Sequence, residues 1–190
     1  TRTVADRLAD GDLIRKARVH PLNILIGLRT YASGHGLRGQ NTWAPVAQVI
    51  DALDEAFYQA FPNVEPTGKR LLVAVDVSGS MTSGSVAGVP LSPCEAAAAL
   101  ALCHLHADRD VHVIGFSDRL FEVGLSRRQR LDDAANAIRN ISGYGTDCAL
   151  PVMYADQHGL AVDAIVALTD GETWAGHTHP AQALTAYRRK

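Results

Sequence analysis

The chain has 190 residues, is 47% hydrophobic and 20% charged, and carries a formal net charge of −2, the profile of a globular chain with ample core material rather than a disordered one. Residues 1–70 hold nine Lys/Arg against seven Asp/Glu, and residues 71–190 hold nine against thirteen, so charge alone marks neither part as a nucleic-acid surface. Cys94, Cys103 and Cys148 form no C-x-x-C pair and leave an odd thiol, which argues against a disulfide framework and for reduced thiols.

In chain order, residues 1–20 read as short helical pieces in which Leu13, Ile14 and Ala17 have helical spacing. Arg15, Lys16, Arg18 and His20 form a local basic cluster, which also suits a solvated helix face. Pro21 opens a helix with Leu22, Leu25, Ile26 and Leu28 as its core stripe, and Gly34 is placed to stop it. The stretch from His35 to Trp43 is a glycine-rich loop bearing His35 and Arg38. A second helix is predicted from Pro45 to Phe61, with Val46, Val49, Ile50, Leu53, Ala56, Phe57 and Ala60 on one face. Pro62 ends it. Residues 64–70, with Pro66 and Gly68, read as a linker and domain boundary.

From Arg70 onward strands and helices alternate, the pattern of an α/β sheet. Leu71 to Asp76 is an apolar run that fits a strand buried on both faces. Met81 to Leu91 is a loop, and Ser92-Pro-Cys-Glu95 is a capping box opening a helix to about Ala107. Val111 to Phe116 is the second strand, and Leu120 to Val123 is close enough to form an antiparallel edge hairpin with it. Leu131, Ala134, Ala135, Ile138 and Ile141 mark a helix. Asp147 can cap another that runs toward Gly159, with Pro151 in its first turn. Val162 to Leu168 reads as a strand and Pro180 to Lys190 as a helix. A doubly wound sheet normally has one or two more strands, which are expected beyond residue 190.

The chemistry gathers where strands end. Asp76, Ser78 and Ser80 alternate directly after the first strand, and a loop there can turn three short oxygen side chains onto one point. Such ligands suit a hard cation, Mg²⁺ or another divalent ion such as Mn²⁺ or Ca²⁺. Alone, D-x-S-x-S also describes an ordinary Ser/Gly turn. Gly145-Thr146-Asp147 and Ala167-Leu-Thr-Asp170-Gly171 add oxygens at two further loop edges, the second again after an apolar run.

These three sets resemble the metal-ion-dependent adhesion site of von Willebrand factor type A domains. The resemblance implies a Rossmann-like, mostly parallel sheet over residues 71–190 and a site of Asp76, Ser78, Ser80, Thr146 and Asp170. Two carboxylates and three neutral hydroxyls would leave a bound Mg²⁺ seeking an anionic oxygen, a carboxylate or a phosphate, from a partner.

No enzyme is expected. Ser78 and Ser80 lack the G-x-S-x-G elbow, His104 and His106 do not share a helix face, and His177 and His179 have incomplete zinc spacing. Glu172 could hold a metal-bound water, but a solvated loop acid is its simpler reading. The apolar stretch Ala96 to Leu105 is too short to span a bilayer, so no membrane partner is expected.

A narrower resemblance covers nearly the whole chain. The string His20-Pro-Leu-Asn-Ile-Leu-Ile-Gly-Leu-Arg-Thr-Tyr-Ala-Ser-Gly-His-Gly-Leu-Arg-Gly39 and Ala52-Leu-Asp-Glu-Ala-Phe-Tyr-Gln-Ala-Phe61, leading into Val64-Glu-Pro-Thr-Gly-Lys-Arg70, are similar to the end of the helical-repeat (TROVE) module of Ro ribonucleoprotein autoantigens. Thr146-Asp-Cys-Ala-Leu-Pro151, Thr169-Asp-Gly-Glu-Thr-Trp174, His179-Pro180 and Tyr187-Arg-Arg-Lys190 resemble that family's type A domain, in its bacterial members.

The resemblance implies a cytoplasmic protein whose full-length form binds small noncoding Y RNAs and misfolded RNAs in RNA quality control or processing. Residues 1–63 would be the last helices of the repeat module. Arg15, Lys16, Arg18, His35 and Arg38 are candidate phosphate contacts, with a structural role open for each. The other reading is an Mg²⁺-dependent interaction module that captures an acidic residue of a protein partner.

Overall fold

A computed structural model describes residues 2–171 and 173–189. The chain divides into two compact units, Thr1–Pro66 with Ser85–Leu91, and Thr67–Gly84 with Ser92–Lys190. The division after Pro66 falls inside the 64–70 segment. Residues 85–91, expected simply to be part of the loop after the first strand, cluster with the helical unit.

The first unit is helical: α1 (Arg2–Leu8), α2 (Gly11–Ala17), α3 (Pro21–Ala32) and α4 (Ala47–Gln59). Asp10 caps α2 by accepting from the N–H groups of Asp12 and Leu13, and Pro21 occupies the first position of α3. Ile14, Ala56 and Ala60 form a small buried cluster with Ile24 against it. Asn63 Nδ2 donates to the carbonyls of Ile14 and Val19, which ties the end of the unit to α2.

The predicted 45–61 helix is shorter at both ends. Val46 is the N-cap and 38% exposed rather than part of the core face. Phe61–Asn63 forms a 3-10 turn, because Pro62 cannot continue the α-helical ladder. Leu13 and Ala17 are also exposed, and only Ile14 of that trio is buried.

The second unit is α/β. Its strands are β1 (Leu71–Asp76), β2 (Val111–Phe116), β3 (Leu120–Phe121) and β4 (Ala164–Leu168), in the order β3-β2-β1-β4. β1 pairs in parallel with β2 and β4, and β2 pairs antiparallel with β3. All six residues of β1 are buried, as a central strand covered on both faces requires.

Helices α5 (Pro93–Ala107), α6 (Leu131–Arg139), α7 (Leu150–Gln157) and α8 (Pro180–Tyr187) complete the unit. The Ser92–Glu95 capping box forms as predicted, with the Ser92 hydroxyl accepting from the Glu95 N–H at 3.2 Å. The Met81–Leu91 loop contains the end of one 3-10 turn, Gly79–Thr82, and all of another, Val86–Gly88. The linker is anchored at Asp108, whose Oδ1 accepts from the Thr67 N–H, the Thr67 hydroxyl and the Gly68 N–H.

Several predicted ends move inward. The edge hairpin strand stops at Phe121, and α6 stops at Arg139. β4 begins at Ala164 rather than Val162, because the N–H groups of Val162 and Asp163 turn to the Tyr187 hydroxyl and the Arg70 carbonyl. α7 begins at Leu150, not at Asp147, and α8 ends at Tyr187.

Candidate metal centre

The parallel register sets the ends of β1 and β4 side by side, with Val75 opposite Leu168. Asp76 ends β1, and Thr169 and Asp170 follow β4, so both chains leave the sheet at the same edge. Ligands collect at such strand ends in open α/β sheets.

Asp76 is fully buried. Its Oδ1 accepts from the Ser78 N–H at 2.8 Å, and its Oδ2 accepts from the Thr169 hydroxyl at 2.6 Å and, at a longer 3.4 Å, from Thr146. The Ser78 and Ser80 hydroxyls lie 3.1 Å apart, and Ser80 donates to Asp170 Oδ1 at 3.0 Å. The structure therefore joins all five sequence-predicted oxygen residues in one hydrogen-bonded network. Asp76, Ser78 and Thr146 are its buried floor, whereas Ser80 and Asp170 are exposed at its mouth.

Local backbone makes this convergence possible. Ser78 pairs in parallel with Gly143 in an isolated bridge, which brings the 143–147 loop against the loop after β1. A Cβ on Gly143 would lie 2.3 Å from the Ser117 hydroxyl oxygen, so only glycine lets the strands approach. The Thr146 carbonyl then accepts from the N–H groups of Trp174 and Ala175 and from the Thr173 hydroxyl. Asp147 does not cap α7 directly. Its Oδ1 accepts from the Ala149 N–H at 2.9 Å, closing the turn before the helix.

The residues fit a hard cation. Asp76 is a buried carboxylate whose described partners are all neutral donors, and hydroxyls that donate to it keep lone pairs for an ion. Among the described residues no group of three or more His, Cys, Asp and Glu could hold a metal, so the chemistry here depends on hydroxyls beside two carboxylates. Oxygen-only donors of this kind suit Mg²⁺, Mn²⁺ or Ca²⁺ better than softer metals. Cys148 lies close by, and burial, with the Asp76 charge second, pushes its thiol up.

Thr169 escaped the sequence assignment although it makes the shortest bond to Asp76. The signal was present, a hydroxyl beside Asp170 directly after an apolar run. Ser117 was missed too. It is fully buried, donates to Asp118 Oδ1 at 2.7 Å and offers its carbonyl to the Asp147 N–H. That hydroxyl holds the Asp118 carboxyl below its ordinary range. Glu172 lies outside the described residues.

The five candidate phosphate contacts belong to the helical unit and are all exposed. Arg15 and Lys16 sit in the last turn of α2, and Arg18 is its C-cap in a left-handed conformation. Arg15 pairs with Asp12 at 3.2 Å, a surface contact that solvent screens. His35 and Arg38 lie in the loop after α3, where His35 bridges to Thr42. Among the described residues, no hydrogen bond or ion pair is seen joining these two groups.

Comparison with known proteins gives a consistent answer. Residues 70–190 match the family described as the Ro60 vWA domain. A protein of Deinococcus radiodurans named RNA-binding protein RO60 is 46% identical over 190 residues, which is all of this chain and 36% of that one. One of the same name from Caenorhabditis elegans is 40% identical over 185 residues, covering 97% of this chain and 29% of its own. The crystal structure of the Deinococcus radiodurans RO (RSR) protein superposes with a TM-score of 0.92 at 45% identity, covering 100% of this chain and 38% of that one. The chain thus spans about a third of the length of the relatives it matches.

Proposed function

Since the chain belongs to the Ro60 vWA domain family, we propose that it is the metal-site domain, with adjoining helices, of a noncoding-RNA-binding protein. The full-length protein binds Y RNA and misfolded RNA in RNA quality control or processing, acts in the cytoplasm and is not an enzyme. The observation that carries this reading is similarity over the whole chain, helical unit included, to proteins named as RNA-binding.

Within it, Asp76, Ser78, Ser80, Thr146 and Asp170 hold a divalent cation. Mg²⁺ bound there would supply an open position for an anionic oxygen. Asp76 gives the charge that retains the ion, and its hydrogen bonds to Thr169 and the Ser78 N–H fix the carboxylate against rotation. Ser80 and Asp170, at the exposed mouth, are the groups a ligand meets first. Arg15, Lys16, Arg18, His35 and Arg38 offer exposed, unspecific phosphate contacts on the helical unit.

Crosslinking and sequencing of RNA bound to the full-length protein in its own cells tests the proposal. Enrichment of one or a few structured noncoding RNAs is expected, with affinity falling steeply as salt rises. Recovery of background RNA only would overturn it.

A second reading is favoured by the exposed position of Asp170 and Ser80: an acidic residue of a protein partner completes the cation's shell. A metal-dependent protein partner, recovered without specific RNA and lost on Asp170→Ala, would establish that reading instead.

A further inference from the structure

Two large aromatic side chains stand out of the molecule beside the oxygen site. Tyr144 is 80% exposed and Trp174 is 75% exposed. They lie on the two loops that meet at Thr146, whose hydroxyl is 3.4 Å from Asp76 Oδ2. The Trp174 backbone is held, because its main-chain N–H donates to the Thr146 carbonyl at 3.0 Å and the Ala175 N–H donates to the same oxygen at 3.1 Å. Its ring lies over Gly145, where a Cβ would come within 3.4 Å of it and φ is +87°. Tyr144 is held through its N–H, which donates to Asp118 Oδ1 at 3.4 Å.

Each ring leaves a large apolar face in water beside the oxygen site, and each is carried on backbone held by a hydrogen bond. We propose that Tyr144 and Trp174 form a base-stacking rim of the metal site, whose ligand is single-stranded RNA. One phosphate of the strand lies at the cation and neighbouring bases lie on the rings. The proposal rests on the reading above and adds the chemistry of what that site takes.

The two exposed rings favour a nucleotide over an acidic peptide. A nucleobase has a flat face that matches each ring and is carried a short distance from a phosphate, whereas an acidic side chain has the anionic oxygen without the face. Stacking tolerates any base, so such a rim takes single strands with little regard to sequence. The surrounding carboxylates, Asp76, Asp118, Asp147 and Asp170, repel a bare phosphate, so strand binding here requires the cation. Binding at the rim is therefore Mg²⁺-dependent, unlike ordinary phosphate contacts of basic side chains.

The test uses full-length protein and a short single-stranded oligouridylate containing thiouridine, photocrosslinked with Mg²⁺ or with EDTA and mapped by peptide mass spectrometry. Crosslinks at Tyr144 or Trp174 are expected with Mg²⁺ and are lost in EDTA and in Asp170→Asn. In parallel, oligouridylate should protect Trp174 from N-bromosuccinimide, and Tyr144→Ala should raise the midpoint of protection about tenfold. Both rings are surface groups, and circular dichroism checks that the variants remain folded. Crosslinks confined to other regions, with RNA still retained, would overturn the rim and leave the RNA-binding reading standing. Failure to retain any RNA would overturn that reading as well. Protection of Trp174 by an acidic peptide and not by oligouridylate would assign the rim to a protein. A Trp174 already unreactive in RNA-free full-length protein would show the rim covered and end the proposal.

Discussion

The Thr169 hydroxyl donates to Asp76 Oδ2 at 2.6 Å, linking the end of β4 to the end of β1 across 93 residues of sequence. It turns a buried carboxylate toward the strand-end cleft and fixes the loop that carries Asp170. Thr169→Val keeps the shape and removes the donor, so it should cost about 1 kcal/mol. Urea denaturation measures this. A variant as stable as the parent would show that Asp76 is held by its other partners alone.

Added Mg²⁺ should raise the melting temperature, because an ion that binds only the folded state stabilises it by mass action. At an ion concentration about ten times Kd the gain is ~1.4 kcal/mol. Asp170→Asn and Ser80→Ala, both exposed positions, should fold normally and lose most of the shift. Equal melting of the parent in Mg²⁺ and in EDTA would remove the metal from the site.

Gly143→Ala places a methyl group 2.3 Å from the Ser117 oxygen and 2.5 Å from its Cβ, against a fully buried side chain. Relieving that overlap must separate the 143–147 loop from Ser117, so a loss of about 1–3 kcal/mol is expected. Gly79→Ala is the contrast, since nothing lies within 4 Å of its added carbon. Chemical denaturation of the pair should separate them clearly.

The Arg70 guanidinium and N–H bind the Asp163 carboxylate, joining the residues that precede β1 and β4. These hydrogen bonds hold Asp163 at about 2, below the ordinary carboxylate range. A depressed folded-state value means that the contribution is fully present above the unfolded value of about 4 and is lost as pH falls through about 2. Asp163→Asn should therefore be less stable than the parent at neutral pH, with the difference vanishing in strong acid. A gap that is constant across the acid titration would contradict this.

Burial raises the Cys103 thiol to about 12, so it stays protonated and unreactive in the folded protein. Iodoacetamide at mildly alkaline pH should label Cys103 only on unfolding. Labelling at native concentrations of denaturant would show α5 opening locally.

Much of the fold was legible in the sequence because its signals are local. The apolar run of Leu71–Val75, the Ser92–Glu95 box and the spacing of Leu131 to Ile138 each state a period or a cap within one element. Oxygen residues after two apolar runs likewise marked Asp76, Ser78, Ser80 and Asp170, a loop edge marked Thr146, and the resemblance joined all five into one site. The ends of elements were less legible, since Val162 and Asp163 leave β4 for partners at Tyr187 and Arg70 that are distant in sequence. Only tertiary structure decided that Thr169 meets Asp76, that Ser117 sits beneath Gly143, and that Tyr144 and Trp174 stand exposed around Thr146. Local propensity fixes dihedral angles residue by residue, whereas a site is a set of distances between strand ends. Those distances arise only when the β1–β4 register is formed and the side chains compete for the same buried donors and acceptors.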